Sequence, residues 1–231
     1  MNSESVSLSR AEQLQRMFLA QVYAWMGFAL GITALVGWYV VNSPQLLNTL
    51  FTNRGLFFGM IIGELVLVVV LSRAVQRMSA FMTTFIFFVY SMLNGFTLSV
   101  LFLAYTAESL ASTFVITAGT FGVMSLYGFI TKRDLSSIGN LCVMALFGLI
   151  IASLVNIFFH NSMLYWIATY VGIIVFVGLT AYDTQKIKRI QAEAFDDEDQ
   201  ERKVSILAAL TLYLDFINLF IYLLRLLGRR R

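Results

Sequence analysis

The sequence predicts an all-α integral membrane protein, a bundle of seven transmembrane helices, and three observations lead there. Of its 231 residues 59% are hydrophobic and 13% charged, with a mean hydropathy of +0.79, which is more apolar material than a water-soluble core of this size needs. The apolar residues fall into runs of roughly 20, the length that crosses a hydrocarbon layer of about 30 Å. The alternating pattern of a membrane barrel is absent, so helices, which satisfy their own backbone hydrogen bonds in lipid, are the expected spanning element.

Residues 1–17 form a polar segment of mixed charge, unlike a cleavable signal peptide, so the first apolar run, Phe18–Val41, serves as the insertion signal and stays. A polar stretch, Asn42–Asn53, leads to the second run, Leu56–Ser72, apolar throughout except for Glu64. Short connections then separate Ala80–Tyr105, Ser112–Thr131, Ile138–Phe159 and Met163–Tyr182. A charged loop, Asp183–Ser205, follows; its "FDDEDQERK", Phe195–Lys203, reads as a solvated face rather than a cation-collecting mouth. The seventh run is Ile206–Leu227. Residues 18–228 thus make one membrane domain with no second domain, and residues 229–231 a basic tail.

Lys and Arg set the orientation, because cytoplasmic loops retain positive charge. The side holding the N-terminus carries Arg10, Arg16, Arg73, Arg77, Lys132, Arg133, Lys186, Lys188, Arg189, Arg202 and Lys203, whereas the other side, the tail excluded, carries Arg54. The N-terminus is therefore expected in the cytoplasm. Arg225, Arg229, Arg230 and Arg231 oppose that rule if the seventh run crosses; the alternative is a re-entrant last segment, and the length of the run favours crossing. The lone His160 precludes a His-rich metal site, and the single Cys142 precludes an internal disulfide. No cofactor and no enzymatic activity are expected. Lipid is the expected surrounding partner and nucleic acid is not one.

Three acids lie within or at the edge of spans: Glu64, Asp183 and Asp215. Ionisable groups at such depth face a bundle interior or a wet cavity and are functional candidates. Glu64 and Asp215 are near the middle of their runs and are expected at a similar depth. Asp183 ends the sixth run near Arg73 and Arg77, which makes an arginine pair geometrically cheap. Pairing Asp183 with Asp215 is harder, since Asp215 lies nine residues beyond Ile206, roughly 13 Å deeper at 1.5 Å per residue. Asp215, Asn218, Tyr222 and Arg225 recur at three- and four-residue steps, an inward polar stripe. Ser91, Asn94 and Thr97 in the third run either hydrogen-bond between helices or take part in permeation. Gly27 with Gly31, and Gly59 with Gly63, have the spacing of close helix packing.

The third-span "NGFTLS" (Asn94–Ser99), "KRDLS" (Lys132–Ser136), "GLTAYDTQKIK" (Gly178–Lys188) and "LTLYLDFINLFIYLLRLLG" (Leu210–Gly228) together resemble the transmembrane Bax-inhibitor-motif family in its bacterial branch, over nearly the whole chain. The resemblance implies a seven-helix bundle with the last helix at its centre and six around it, placed in a bacterial inner membrane. It also implies a pH-sensitive calcium leak gated by Asp183 and Asp215, which would meet calcium transiently as the permeant ion and exchange protons. An arginine of the second span, Arg73 or Arg77, is implied as a latch on the first aspartate. Coupled carboxyls titrate as one unit, so acidification would weaken such a latch while also removing charge that attracts calcium.

Two other classes compete with the leak. An intramembrane aspartyl protease would share the Tyr182-Asp183 dipeptide, but its Gly-x-Gly-Asp motif fails where Leu212 and Leu214 precede Asp215. A non-conducting regulator that binds a membrane protease or a stress or cell-death factor is the stronger alternative.

Overall fold

In a computed structural model, residues 3–192 and 197–231 are described, and they are helical almost throughout. The helices are α1 (Ser3–Val41), α2 (Pro44–Thr52), α3 (Arg54–Ala74), α4 (Ala80–Ala104), α5 (Ala107–Ile130), α6 (Ser136–Phe159), α7 (Ser162–Ala192) and α8 (Glu198–Leu227), with a 3-10 turn at Val75–Arg77. Among the described residues all but α2 are long and apolar enough to cross a membrane, which gives the seven expected spans. The most apolar 18-residue stretch of α8 is 61% buried, against 6% for α3. The helix that carries Asp215 is thus the span most enclosed by protein, and the one that carries Glu64 the least.

Three connections differ from their sequence reading. The polar stretch Asn42–Asn53 holds a helix, because Pro44 sits at the first helical position, where a missing N–H costs nothing, and Leu50 is buried beneath it. The charged loop Asp183–Ser205 is largely helical instead. α7 continues to Ala192, and the acidic run opens α8: Asp197 accepts a hydrogen bond from the Gln200 amide at 2.7 Å, and Glu198, Asp199 and Glu201 fill the first turn, where the helix dipole favours negative charge. Asp199 also accepts from the Ala80 amide, the first of α4, at 3.0 Å and pairs with Lys203 at 3.0 Å. Phe195 and Asp196 lie outside the described residues. The fourth span begins at Ala107 rather than Ser112, since the Thr106 hydroxyl caps α5 through the Ser109 amide.

The chain forms two compact units. One comprises α1 to α4 with α8 as far as Tyr213, the other α5, α6 and α7 as far as Ile190 with α8 from Leu214 to its end. In the first, α1 packs on α4 so closely that a β-carbon on Gly95 would lie 2.7 Å from the Thr33 carbonyl. In the second, Gly128 fits against the Ala181 backbone, Gly139 against the Tyr182 ring, Gly172 against the Tyr222 ring and Gly178 against the Cys142 sulfur. The glycines that spacing had singled out do not serve this way. Gly27, Gly31 and Gly59 have nothing within 4 Å of an added β-carbon, and Gly63 meets only the Leu93 side chain. Spacing places small residues on one face of a helix without saying whether a neighbour covers that face.

The family-like "KRDLS" segment is fastened to the end of α7. Gln185 accepts from the Leu135 amide at 2.9 Å and donates to the Arg133 carbonyl at 2.8 Å, while the Lys188 ammonium donates to the Phe129 carbonyl at 3.0 Å. Arg189 pairs with Asp134 at 2.9 Å. At the other end of the same unit, the Thr106 amide donates to the Arg229 carbonyl, the Arg229 amide to the Ser109 hydroxyl, and Arg230 to the Tyr165 hydroxyl. α8 is continuous and its tail rests at the end of the unit opposite the Asp134–Arg189 cluster, as a crossing helix requires and a re-entrant segment does not.

Asp134, outside the spans and exposed, is held at about 2, well below the ordinary carboxylate range, first by the Ser136 hydroxyl, then by the Ser136 amide and Arg189. Its folded value lies below its unfolded one, so its stabilisation is complete above the ordinary range, about pH 4, and is lost as the pH falls through the folded value. Asp134→Asn in detergent should therefore melt below the parent at neutral pH, with the gap closing over that acidic window. A gap undiminished at the acid end would show that the contact acts through shape and not charge.

Candidate functional site

The register of α7 against α8 decides which acids meet. Gly172 admits the Tyr222 ring, and the Phe176 and Tyr222 rings stack with centroids 5.8 Å apart. Seven residues, two helical turns, from Phe176 along α7 lead to Asp183, and seven residues back from Tyr222 along α8 lead to Asp215. The two carboxyls are hydrogen-bonded to each other. The sequence reading set Asp183 at the end of its span, whereas α7 continues nine residues past it to Ala192, so this carboxyl, like Asp215, lies well inside its helix. Asp183 is 8% exposed and Asp215 4%. Two ionised carboxylates offer only acceptors, so this contact requires one proton between them.

The surroundings offer the pair little else. Thr180 and Thr184 return their hydroxyls to their own helix, to the Phe176 and Thr180 carbonyls. Phe216 packs edge-on against Phe114 and Phe121, with centroids 5.5 and 5.4 Å apart, and Leu219 is fully buried. Among the described residues, Asp215 Oδ2 meets no hydrogen-bond partner, and neither does the buried Ser125 hydroxyl of α5 in the same unit. Lys186 follows one turn beyond Asp183 on α7. Asn218 donates to the Leu214 carbonyl at 2.8 Å and lies one turn from Asp215, so part of the predicted polar stripe is present. Arg225 ends the stripe stacked over the Tyr222 and Tyr165 rings, 5.1 and 5.7 Å from their centroids.

Glu64, Asn94 and Thr97 come together elsewhere, in the first unit. The Thr97 hydroxyl donates to Glu64 Oε1 at 2.7 Å, and the Asn94 amide donates to Glu64 Oε2 at 3.3 Å. Asn94 Oδ1 accepts from the Tyr213 hydroxyl at 3.0 Å, and that hydroxyl is 2.7 Å from the Thr33 hydroxyl. A chain of hydrogen bonds thus runs from α1 through α8 and α4 to the carboxyl of α3. Ser91 contributes its carbonyl to Thr33 and turns its hydroxyl back to Phe87. The side chains of Asn94 and Thr97 thus make hydrogen bonds between helices, while that of Ser91 bonds within its own helix.

Tyr213 and Thr33 were missed by sequence reasoning. A signal existed for the tyrosine: such residues favour the membrane interface, so one in the middle of an apolar span implies a buried hydroxyl with a partner. Arg73 is in the last turn of α3 and Arg77 ends the 3-10 turn, both in the first unit, whereas the aspartate pair is in the second. Among the described residues no group of three or more His, Cys, Asp or Glu side chains is gathered to hold a metal ion. The pair therefore offers a passing cation two carboxyls rather than the six to eight oxygens that calcium prefers.

The hydrogen-bonded chain on Glu64 makes two substitutions informative. Glu64→Gln keeps an acceptor for Thr97 and should alter melting little, while Glu64→Leu strands two donors and should destabilise by about 1–3 kcal/mol in detergent. Tyr213→Phe should fall between them, about 0.6–2 kcal/mol. Equal melting of the Leu and Gln variants would show that Glu64 is not held by these donors.

Comparison with known proteins places the geometry in context. The sequence profile described as "Inhibitor of apoptosis-promoting Bax1" matches residues 15–231. The inner membrane protein YbhL of Escherichia coli (strain K12) is 57% identical over 216 residues, covering 93% of this chain and 92% of its own. A protein of Borreliella burgdorferi is 42% identical over 218 residues, 94% of each chain, and RP147 of Rickettsia prowazekii 44% identical over 218 residues, 94% of this chain and 91% of its own.

Proposed function

The chain belongs to the family of inhibitors of apoptosis-promoting Bax1, and from that premise we propose that this integral membrane protein is a pH-sensitive, calcium-permeable leak gated by Asp183 and Asp215. The observation that supports the reading is the hydrogen-bonded pair of buried carboxyls, one oxygen of which has no other partner. A proton holds the two helices together at that point. Removing it leaves two negative charges in an apolar surrounding, which must separate, take up water or gain a cation. Calcium, a hard cation that prefers carboxylate oxygens, suits the last of these. Either Arg73 or Arg77 would serve as a latch by pairing with Asp183 in the closed state.

The name of YbhL points to the inner membrane, and the eleven basic residues on the N-terminal side point to a cytoplasmic N-terminus. A second reading has its own support. The close glycine contacts on Ala181, Tyr182 and Cys142 enclose the segment that carries Asp183, as they would in a rigid regulator whose acids only fix helix packing.

Calcium flux through the purified chain in liposomes separates these readings. Asp215→Asn keeps the shape and one hydrogen-bonding group, so the bundle should assemble while much of the pH dependence of flux disappears. Asp183→Asn should act on the same transition and not add to it. Replacing the latch arginine, tested as Arg73→Gln and Arg77→Gln, should raise leak near neutral pH, since a charge-assisted hydrogen bond of about 1.5–3 kcal/mol is lost from the closed state. An unchanged pH midpoint in both aspartate variants would sink the sensor, and absence of flux at every pH would favour the regulator.

A further inference from the structure

A crevice of about 230 Å³ opens between α6, α7 and α8, lined by Leu146, Ser153 and Ile157 of α6, Phe176 of α7, and Asn218 and Tyr222 of α8. From Leu146 to Ile157 it follows α6 for about 16 Å, ending close to the helix terminus at Phe159. Its walls are mostly apolar, with Leu149, Ile150 and Leu154 completing the α6 side and Ser153 and Asn218 the polar exceptions, so its natural occupant at membrane depth is hydrocarbon. The end it reaches is basic. Arg225 stacks over Tyr222, itself a wall of the crevice, and over Tyr165; Arg230 donates to the Tyr165 hydroxyl at 3.2 Å, so two guanidiniums converge on one ring. With Arg229 they set three cations against a single acid, Glu108, at this end of the second unit. The ion pairs of Asp134 and Asp199 are made with Arg189 and Lys203 and leave Arg225 aside.

We propose that crevice and basic end together form a binding site for one anionic phospholipid, with an acyl chain between α6, α7 and α8 and the phosphate on Arg225 and Arg230. Continuity supports a single ligand: Tyr222 is at once a wall for the chain and the platform under the guanidinium that would meet the phosphate. Tyr165, Trp166 and Tyr170 form a chain of touching rings on α7, the kind of amphipathic surface that settles at headgroup level. The site also gives a physical reason for four arginines at the end of a span where the distribution of positive charge predicts few. This inference does not rest on the calcium-leak reading, and its test uses no flux.

Trp25→Phe with Trp38→Phe leaves Trp166 as the sole tryptophan, next to Tyr165. In phosphatidylcholine vesicles, dibrominated phosphatidylglycerol should quench Trp166 more strongly than the same fraction of dibrominated phosphatidylcholine. Arg225→Gln and Arg230→Gln should each weaken the preference by roughly fivefold, the scale of one basic side chain near an anionic surface. Quenching by the brominated phosphatidylcholine should stay constant, which reports that the variants remain inserted. Ser153→Phe leaves every charge in place but fills the crevice, so it should also reduce the preference and the phosphatidylglycerol retained in native mass spectrometry. Equal quenching of the parent by the two lipids would overturn the proposal. So would a preference that Ser153→Phe leaves intact, which would mean diffuse attraction, or one abolished by inorganic phosphate at constant ionic strength, which would mean a site for free phosphate.

Discussion

The burial of two acids side by side, Asp183 on α7 and Asp215 on α8, is the constraint around which the second unit is arranged. Neither side chain has a basic partner in hydrogen-bond contact, and burial to 8% and 4% exposure leaves water little part in compensating them. Each must find its partner in the other, which fixes the register of α7 on α8 to the residue. Packing on either side enforces that register: the Phe176–Tyr222 stack lies two turns away, and Gly172 removes the one side chain that would obstruct it. On the other flank, Gly128 and Gly139 bring α5 and α6 against Ala181 and Tyr182, the two residues before Asp183. A carboxyl pair needs its atoms within hydrogen-bond distance, and this density of backbone contact is what can hold two helices to that tolerance.

The two mid-span acids solve the same problem in different ways. Glu64 is surrounded by neutral donors: Thr97, and Asn94 backed by Tyr213 and Thr33, supply the hydrogen bonds that water would give. Its site is satisfied without a second acid. Asp215 has a second acid and an oxygen with no partner at all, so it depends on a titratable neighbour. A fully served buried group stabilises a single arrangement, whereas a partly served one leaves a residual demand for a proton, a water or an ion. That asymmetry is why the proposed sensor is the aspartate pair rather than the glutamate.

Much of this was legible in the sequence. The seven spans follow from apolar length alone, and the candidate acids from the rarity of charge within those spans. The contact between Asp183 and Asp215 was not derivable, because it depends on how far α7 continues beyond Asp183. The run Asp197–Lys203 looked like a solvated loop since its composition is polar, yet Asp197 and Gln200 have the order of a helix cap, a cue that composition hides. The packing glycines escaped for a different reason. Gly27 and Gly31 repeat at the expected interval but face open space, while Gly128, Gly139 and Gly178 are scattered over three helices and matter because of what lies opposite. Tertiary partners are a property of two faces, and a sequence displays one at a time.

The notch at Gly178 has a practical side. Cys142 is the only cysteine in the chain, and its sulfur sits in that notch on α7, five residues before Asp183. With 8% exposure and a helix backbone against it, the thiol is shielded from reagents while α6 and α7 stay together. Engineered cysteines can therefore carry spectroscopic probes in an otherwise native sequence without removal of the endogenous one. Conversely, any state of the protein in which α6 and α7 part would uncover a natural handle beside the aspartates, and alkylation of Cys142 would time its appearance.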